Sequence, residues 1–236
     1  RLNRGGEADP DKVKKLSDVQ QEAYNQIVFQ FLKKKVVLLR GVTSSGKTEL
    51  YIHLIRQALE RHEQVLYLLP EIALTVQIRQ RLQKVFGDRL GIYHSKYSDA
   101  ERVEIWKKQL SSTPYDVILG ARSAALLPFT NLGLVIIDEE HETSFKQQDP
   151  APRYHARSVA IMLAQQFGAK TLLGSATPSA ESWHNAETGK YGLVELDQRY
   201  KGIELPEIKV VDVKDMQRRK MMYGPVSPLL LESMRE

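Results

Sequence analysis

The chain of 236 residues carries 34 Lys and Arg against 29 Asp and Glu, a formal net charge of +5, with 42% apolar and 27% charged residues. That suffices for the core of one large or two small domains and excludes a disordered tail. No run approaches the ~18 consecutive apolar residues of a membrane span, and no cationic leader precedes an apolar segment. Cysteine is absent, which excludes disulfides, cysteine-bound zinc and thiol catalysis within these residues. The chain opens on Arg1 rather than Met and stops at Glu236 inside a helical pattern, so it reads as a piece of something larger. The mild basicity suits a nucleic-acid partner without requiring one.

From Arg1 to Lys12 the chain is polar and reads as a linker. A helix opens after Leu16, with Ser17 or Asp18 as N-cap and apolar residues at Val19, Ala23, Ile27 and Phe31. Lys33 to Lys35 read as the solvated end of that helix. Short apolar runs follow at residues 36–39, 65–69, 90–93, 117–119, 134–137 and 171–173, each closed by Gly, Pro or Asp or a similar break. Between them the patterns predict helices at about residues 46–61, 73–87, 98–112 and 155–167. Fully apolar strands alternating with amphipathic helices predict an α/β domain, a mostly parallel sheet covered on both faces in three layers. Two further strands are expected at residues 193–196 and 208–213, around a turn at 202–206, and a new helix at Ser227 behind Pro225. The expected division is a linker over 1–15, a nucleotide-binding lobe over 16–190, and a C-terminal segment over 191–236.

The sharpest local signal is GVTSSGKT at residues 41–48, which fits G-x-x-x-x-G-K-[ST] in full. A loop of this kind after a buried strand turns its backbone N–H groups toward phosphate, and the next helix aims its positive end at the same anion. Gly41, Val42, Thr43, Ser44, Ser45 and Gly46 form the candidate cradle. Lys47 supplies a point charge to the β- and γ-phosphates, and Thr48 a hydroxyl for Mg²⁺. Such a site also needs a carboxylate on a neighbouring strand and a base for water. The run LVIIDEEH at residues 134–141 provides both, with acids appearing where a buried strand emerges. Asp138 is the candidate magnesium carboxylate and Glu139 the candidate general base. Together the two motifs predict nucleoside-triphosphate hydrolysis and nothing narrower.

Further segments resemble helicase superfamily 2, in the expected order. Leu16 to Gln20 resembles the glutamine motif that reads adenine, with Gln20 the candidate and Gln21 the fallback. Asp138 to His141 has the DExH form of the acidic motif, and Ser175-Ala-Thr177 resembles the motif that couples hydrolysis to strand movement. Pro70 to Thr75 and Gly120 to Ser123 fall where contacts to a single strand lie in that superfamily. The wording is closer still to the bacterial primosomal helicases. It resembles them at residues 41–51, 70–75, 120–124, 137–142, 145–148, 153–157 and 175–179, with Ser44 standing where they typically carry Gly.

That resemblance implies a RecA-like first lobe of an ATP-dependent 3′→5′ DNA helicase acting in replication restart and primosome assembly at stalled forks. It implies ATP and Mg²⁺ as ligands, with zinc only in a part of the full-length protein outside this chain. The partners it implies are single-stranded and forked DNA, replication-restart proteins and a second lobe of the same chain. It places the protein in the bacterial cytoplasm, at the nucleoid, and the isolated lobe is expected to be weakly active or inactive. No tract suggests a coiled coil, so a monomer is expected, and no membrane partner.

The mixture of Phe145, Lys146, Arg153 and Tyr154 suits a loop that stacks bases on aromatic faces while cations follow phosphates. Anchorage of Phe145 or Tyr154 in the core is the competing reading. Thr75 and Arg122 are candidate DNA contacts, Arg122 alternatively bracing the acidic strand. His141 is expected to link the nucleotide to Ser175 and Thr177. Trp106 and Trp183 read as packing residues. The rival function is a nucleotide-dependent switch or docking module without translocation, which predicts ATP binding indifferent to DNA. A lobe serving only as an interaction surface would survive Lys47→Ala unchanged.

Overall fold

A computed structural model describes residues 12–42, 45–95, 97–196 and 209–234. Helix α1 (Asp18–Lys33) begins at a complete capping box, in which Ser17 accepts from the Gln20 backbone and the Gln20 side chain accepts from Ser17 N–H. There follow β1 (Val36–Gly41), α2 (Lys47–Glu60), β2 (Gln64–Leu68), α3 (Val76–Phe86), β3 (Leu90–Tyr93) and α4 (Asp99–Gln109). Then come β4 (Val117–Gly120), β5 (Leu132–Asp138), α5 (Ala156–Phe167), β6 (Lys170–Ser175), α6 (Ala180–Glu187) and β7 (Gly192–Leu196). The expected strands and helices are all found up to β7. The short α6 was not among the expected helices; it starts at Ser179, whose hydroxyl caps Ser182 N–H.

The seven strands form one parallel sheet in the order β3-β4-β2-β5-β6-β1-β7. Alternate strand residues feed two cores, as a period of two requires. Val37, Leu39, Tyr67, Ile136 and Leu172 pack under α1, α2 and α3, while Leu38, Leu66, Val135, Ile137 and Leu173 pack with residues of α4, α5 and α6. Leucine, isoleucine and valine occupy both faces because both are covered, which is why the runs read as continuously apolar. Among the described residues no helix is long and apolar enough to cross a membrane.

Three expectations are corrected. Strand β7 pairs with β1 in register Leu38–Leu193 and Leu39–Val194, so the division expected at residue 190 cuts through the sheet. The compact unit runs over Arg1–Gly202. Of the strand expected at 208–213, residues 209–212 carry no ladder, and Val213 already opens helix α7 (Val213–Arg218). Asp212 ends the extended run by accepting from the N–H groups of Lys214 and Asp215, an N-cap that outweighs the β-branched composition. Trp183 packs in the second core as expected, whereas Trp106 stands exposed on α4. The second unit, Ile203–Glu236, also holds α8 (Pro228–Ser233), capped by Ser227 as foreseen. The expected turn at 202–206 and most of the expected N-terminal linker lie outside the described residues.

Candidate active site

Parallel strands all emerge at one edge, so strand order decides which loops meet. The phosphate-loop segment follows β1, the acidic quartet follows β5, and Ser175 ends β6 between them. These three segments therefore lie on adjacent strands. Pro70 to Thr75 follow β2 and Ala121 to Ser123 follow β4, on the other side of β5.

At the loop, Gly46 is the N-cap of α2 with φ +80°, and a Cβ there would meet Gln20 Nε2 at 2.2 Å. Only glycine suits that combination of backbone and crowding. Gln20, 3% exposed, donates from Nε2 to the carbonyls of Ser45 and Gly46 at 3.3 Å each. The same amide closes the capping box of α1, so in this structure Gln20 braces the loop. Gln21, the fallback, is exposed and bonds to Asn25 instead. Lys47 is buried; its Nζ donates to Gly41 O at 2.9 Å and lies 3.8 Å from Glu139 Oε1. Thr48 is half-buried at the second position of α2. Thr43 and Ser44 lie outside the described residues.

Asp138 sits at the end of β5, 8% exposed, accepting at Oδ1 from Tyr51 Oη at 2.9 Å and from Glu139 N–H at 3.1 Å. Burial pushes its carboxyl up to about 6, the ammonium of Lys47 pulls it back, and the charge of Glu139 adds to the rise. Burial, reinforced by Asp138, also raises the phenols of Tyr51 and Tyr67 well above their ordinary value. Tyr51 was not foreseen as a site residue, and no local pattern announces a partner 87 positions away. One carboxylate with one hydroxyl fits Mg²⁺, which keeps waters and takes phosphate oxygens rather than an all-protein cage. The described residues contain no group of three or more His, Cys, Asp or Glu that could hold a metal ion.

Glu139 has φ +50°, an uncommon conformation for a side chain of this size. Its carboxylate is one-third exposed, within 3.8 Å of Lys47 Nζ and 3.7 Å of His141 Nδ1. His141 Nδ1 hydrogen-bonds Ser175 Oγ at 2.8 Å, and Ser175 Oγ accepts from Thr177 N–H at 2.9 Å. Ser175 Oγ thus joins His141 to the Thr177 backbone. Glu140, between Glu139 and His141, points the other way and is fully buried against Arg157, Ser179 and Ser182.

Beside β2 and β4 lies an open groove of about 680 Å³, lined in part by Glu71, Arg102, Arg122, Ser144, Lys146 and Gln148. Arg122 donates to the carbonyls of Ser144 and Lys146 at 3.3 and 3.2 Å, so it braces the loop after β5. Phe145 is 0% exposed in the second core. The expectation of a base-stacking Phe145 is corrected: burial of the ring anchors the loop and leaves no face open. Tyr154 is half-buried against the same core, Lys146 Nζ donates to Arg153 O at 2.8 Å, and Arg153 itself is exposed. Thr75 is exposed and caps α3 by accepting from Ile78 N–H.

Residues 17–185 match the family described as DEAD/DEAH box helicase. The chain is similar to the Replication restart protein PriA of Rickettsia conorii, 43% identical over 220 residues that span 93% of this chain and 33% of that protein. It is also similar to the Replication restart protein PriA of Bacillus subtilis, 41% identical over 205 residues, 86% of this chain and 25% of that protein. The chain therefore spans a quarter to a third of the length of these curated relatives. In fold it is similar to RecG bound to a three-way DNA junction, with a TM-score of 0.57 at 23% identity over 81% of this chain and 25% of that one. The UvsW helicase from bacteriophage T4 gives a TM-score of 0.54 at 17% identity over 80% of this chain and 62% of that one.

Proposed function

Because the chain belongs to the DEAD/DEAH box helicase family, we propose that it is the first, ATP-binding lobe of a 3′→5′ DNA helicase of replication restart. In this reading it couples ATP hydrolysis to movement along single-stranded DNA at stalled forks, in the bacterial cytoplasm, together with a second lobe and other restart proteins. The observation that carries it is strand order. The sheet sets the phosphate loop, Ser175 and the acidic quartet on neighbours β1, β6 and β5, and the groove segments on β2 and β4, so that β5 borders both.

Backbone N–H groups of residues 41–46 and the positive end of α2 receive the phosphates, and Lys47 exchanges Gly41 O and Glu139 for them. Glu139, accessible to solvent, orients the attacking water and takes its proton at a carboxylate oxygen. Thr48 and Asp138 would hold Mg²⁺, which would supply positive charge against that developing on the phosphate oxygens. His141 passes the state of Glu139 to Ser175 and Thr177 through the bonds described. On the groove side, Arg153, Lys146 and Thr75 contact the DNA backbone and Tyr154 its bases, while Arg122 and Phe145 hold the loop in shape.

The test is the ATPase rate of the full-length protein with and without single-stranded DNA, beside Glu139→Gln. The expected outcome is strong stimulation by DNA, abolished by the substitution while nucleotide binding persists. A slow rate indifferent to DNA would leave a nucleotide switch built on the same loop.

A further inference from the structure

Tyr51 is fully buried on α2, and its hydroxyl reaches across to the end of β5. It stands one turn beyond Lys47, so one face of α2 carries both the phosphate-loop lysine and this phenol. Tyr51 Oη donates to Asp138 Oδ1 at 2.9 Å, and Glu139 N–H donates to the same oxygen at 3.1 Å. Both hydrogen bonds that the Asp138 carboxylate accepts among the described residues thus fall on Oδ1, and Oδ2 takes neither. A phenol keeps its proton up to about pH 10, so it stays a donor at working pH.

The neighbouring strand makes room for this contact at Gly174. That residue lies opposite Asp138 in the parallel register of β5 and β6, and it has no left-handed φ to require glycine. A Cβ there would stand 2.0 Å from Tyr51 Oη and 3.0 Å from Asp138 Oδ1. Glycine inside a strand weakens it and often marks a close approach; here the hydroxyl is what approaches. Tyr67 supplies the contrast. It is equally buried and meets the Tyr51 ring edge to face at 5.5 Å, yet its own hydroxyl has no hydrogen-bond partner among the described residues. Filling this core with a phenol therefore does not by itself set a hydroxyl on the carboxylate.

A carboxylate that holds a metal is oriented by the groups bonded to it from behind. We infer that Tyr51 is a positioning residue for Asp138: its hydroxyl, seated in the space that Gly174 leaves, holds Oδ1 and thereby presents Oδ2 to Mg²⁺. Because Lys47 and Tyr51 share a face of α2, one helix sets the lysine against the phosphates and the carboxylate against the cation. The inference rests on the metal assignment within the proposed function and adds what orients it.

The experiment uses the full-length protein with Tyr51→Phe, and Tyr67→Phe beside it. Binding of a fluorescent, non-hydrolysable ATP analogue is titrated over a series of Mg²⁺ concentrations, with the thermal midpoint and the ATPase rate at limiting and saturating Mg²⁺. Tyr51→Phe should need about tenfold more Mg²⁺ for the metal-dependent gain in analogue affinity, the lower end of what losing such a partner does, with metal-free affinity within about twofold of the unaltered protein. Its ATPase deficit should shrink as Mg²⁺ is raised. Tyr67→Phe, which loses a hydroxyl without a partner, should keep the unaltered Mg²⁺ requirement. Should Tyr51→Phe alone not fold, the double variant with Gly174→Ala carries the test, since the methyl takes up the space the hydroxyl leaves. An unchanged Mg²⁺ requirement in the folded variant overturns the inference. So does an equal shift in Tyr67→Phe, or a loss of metal-free affinity in step with the thermal midpoint, either of which marks a purely structural tyrosine. Analogue binding by the unaltered protein that is indifferent to Mg²⁺ overturns the metal assignment and this inference with it. An ATPase that ignores DNA overturns the motor reading alone and leaves the role of Tyr51 to be decided by the Mg²⁺ titration.

Discussion

At the scale of single residues, Asp138 shows how a site can work against the stability of its own fold. Its carboxyl rises from the ordinary range to about 6 because burial disfavours the anion. Between the unfolded value and about 6 the folded state holds more protons than the unfolded one, so stability falls as pH rises through that window. Above it the full cost of the buried charge is present; near pH 4 and below it is gone. Asparagine keeps an oxygen for Tyr51 and Glu139 N–H while removing the charge. Asp138→Asn should therefore raise the thermal midpoint of the metal-free protein at pH 8, by on the order of 1–3 kcal/mol, roughly 2–4 °C per kcal/mol for a chain of this size. Calorimetry across pH should show that gain vanishing toward pH 4. Gly46 is the opposite case, a residue with no chemistry whose replacement breaks the site. Gly46→Ala meets both a left-handed φ and the amide of Gln20, and nucleotide-analogue binding should be lost in a titration that the unaltered protein passes.

At the scale of elements, the amide of Gln20 belongs to two structures at once. Its oxygen completes the N-terminal cap of α1, and its nitrogen holds the carbonyls that precede α2. The start of one helix is thereby locked to the phosphate loop of another. Gln20→Ala should fray the first turn of α1, costing about 1 kcal/mol as the loss of a cap does. It should also weaken binding of a nucleotide analogue by more than Gln21→Ala, whose side chain bonds only to Asn25. Equal effects in an equilibrium binding comparison would remove the brace from this account. Ser179 plays a comparable double part, capping α6 while accepting from Arg157 and donating to Glu140.

At the scale of the whole molecule, the sheet separates two sets of motif segments that the chain interleaves. Along the sequence the order is phosphate loop, groove segment, groove segment, acidic quartet, Ser175. Across the sheet β1, β6 and β5, which carry the phosphate-loop motif, Ser175 and the acidic quartet, stand together, and the groove-bordering β2 and β4 follow beyond β5. A second lobe closing on this edge would supply the remaining charge for phosphoryl transfer, a contribution worth ~10³–10⁵ in rate when it comes from an arginine in trans. The lobe alone should thus hydrolyse ATP slower than the full-length protein by a factor of that order, in a side-by-side assay with saturating DNA. A comparable rate would mean the lobe completes its own site.

The motifs at 41–48 and 134–141 were legible because their chemistry is local: a tight loop, a lysine and a strand end each need neighbours in sequence. The strands were legible because burial on both faces leaves unbroken apolar runs. The strand expected at 208–213 misled because extended composition makes a strand only where a ladder receives it, and Asp212 starts a helix instead. Loop composition named Phe145, Lys146, Arg153 and Tyr154 together, yet which of them faces solvent depends on the core beneath, and Phe145 went inward. The partners of Gln20, Asp138 and Glu140 lie 25, 87 and 17 or more positions away, and such distances carry no periodic signal. Residue types and spacing thus determined the elements and the family's motifs, because those depend on neighbours along the chain. Packing alone decided strand order, the direction of Glu140 and the burial of Phe145, because those depend on which faces meet once the sheet is covered.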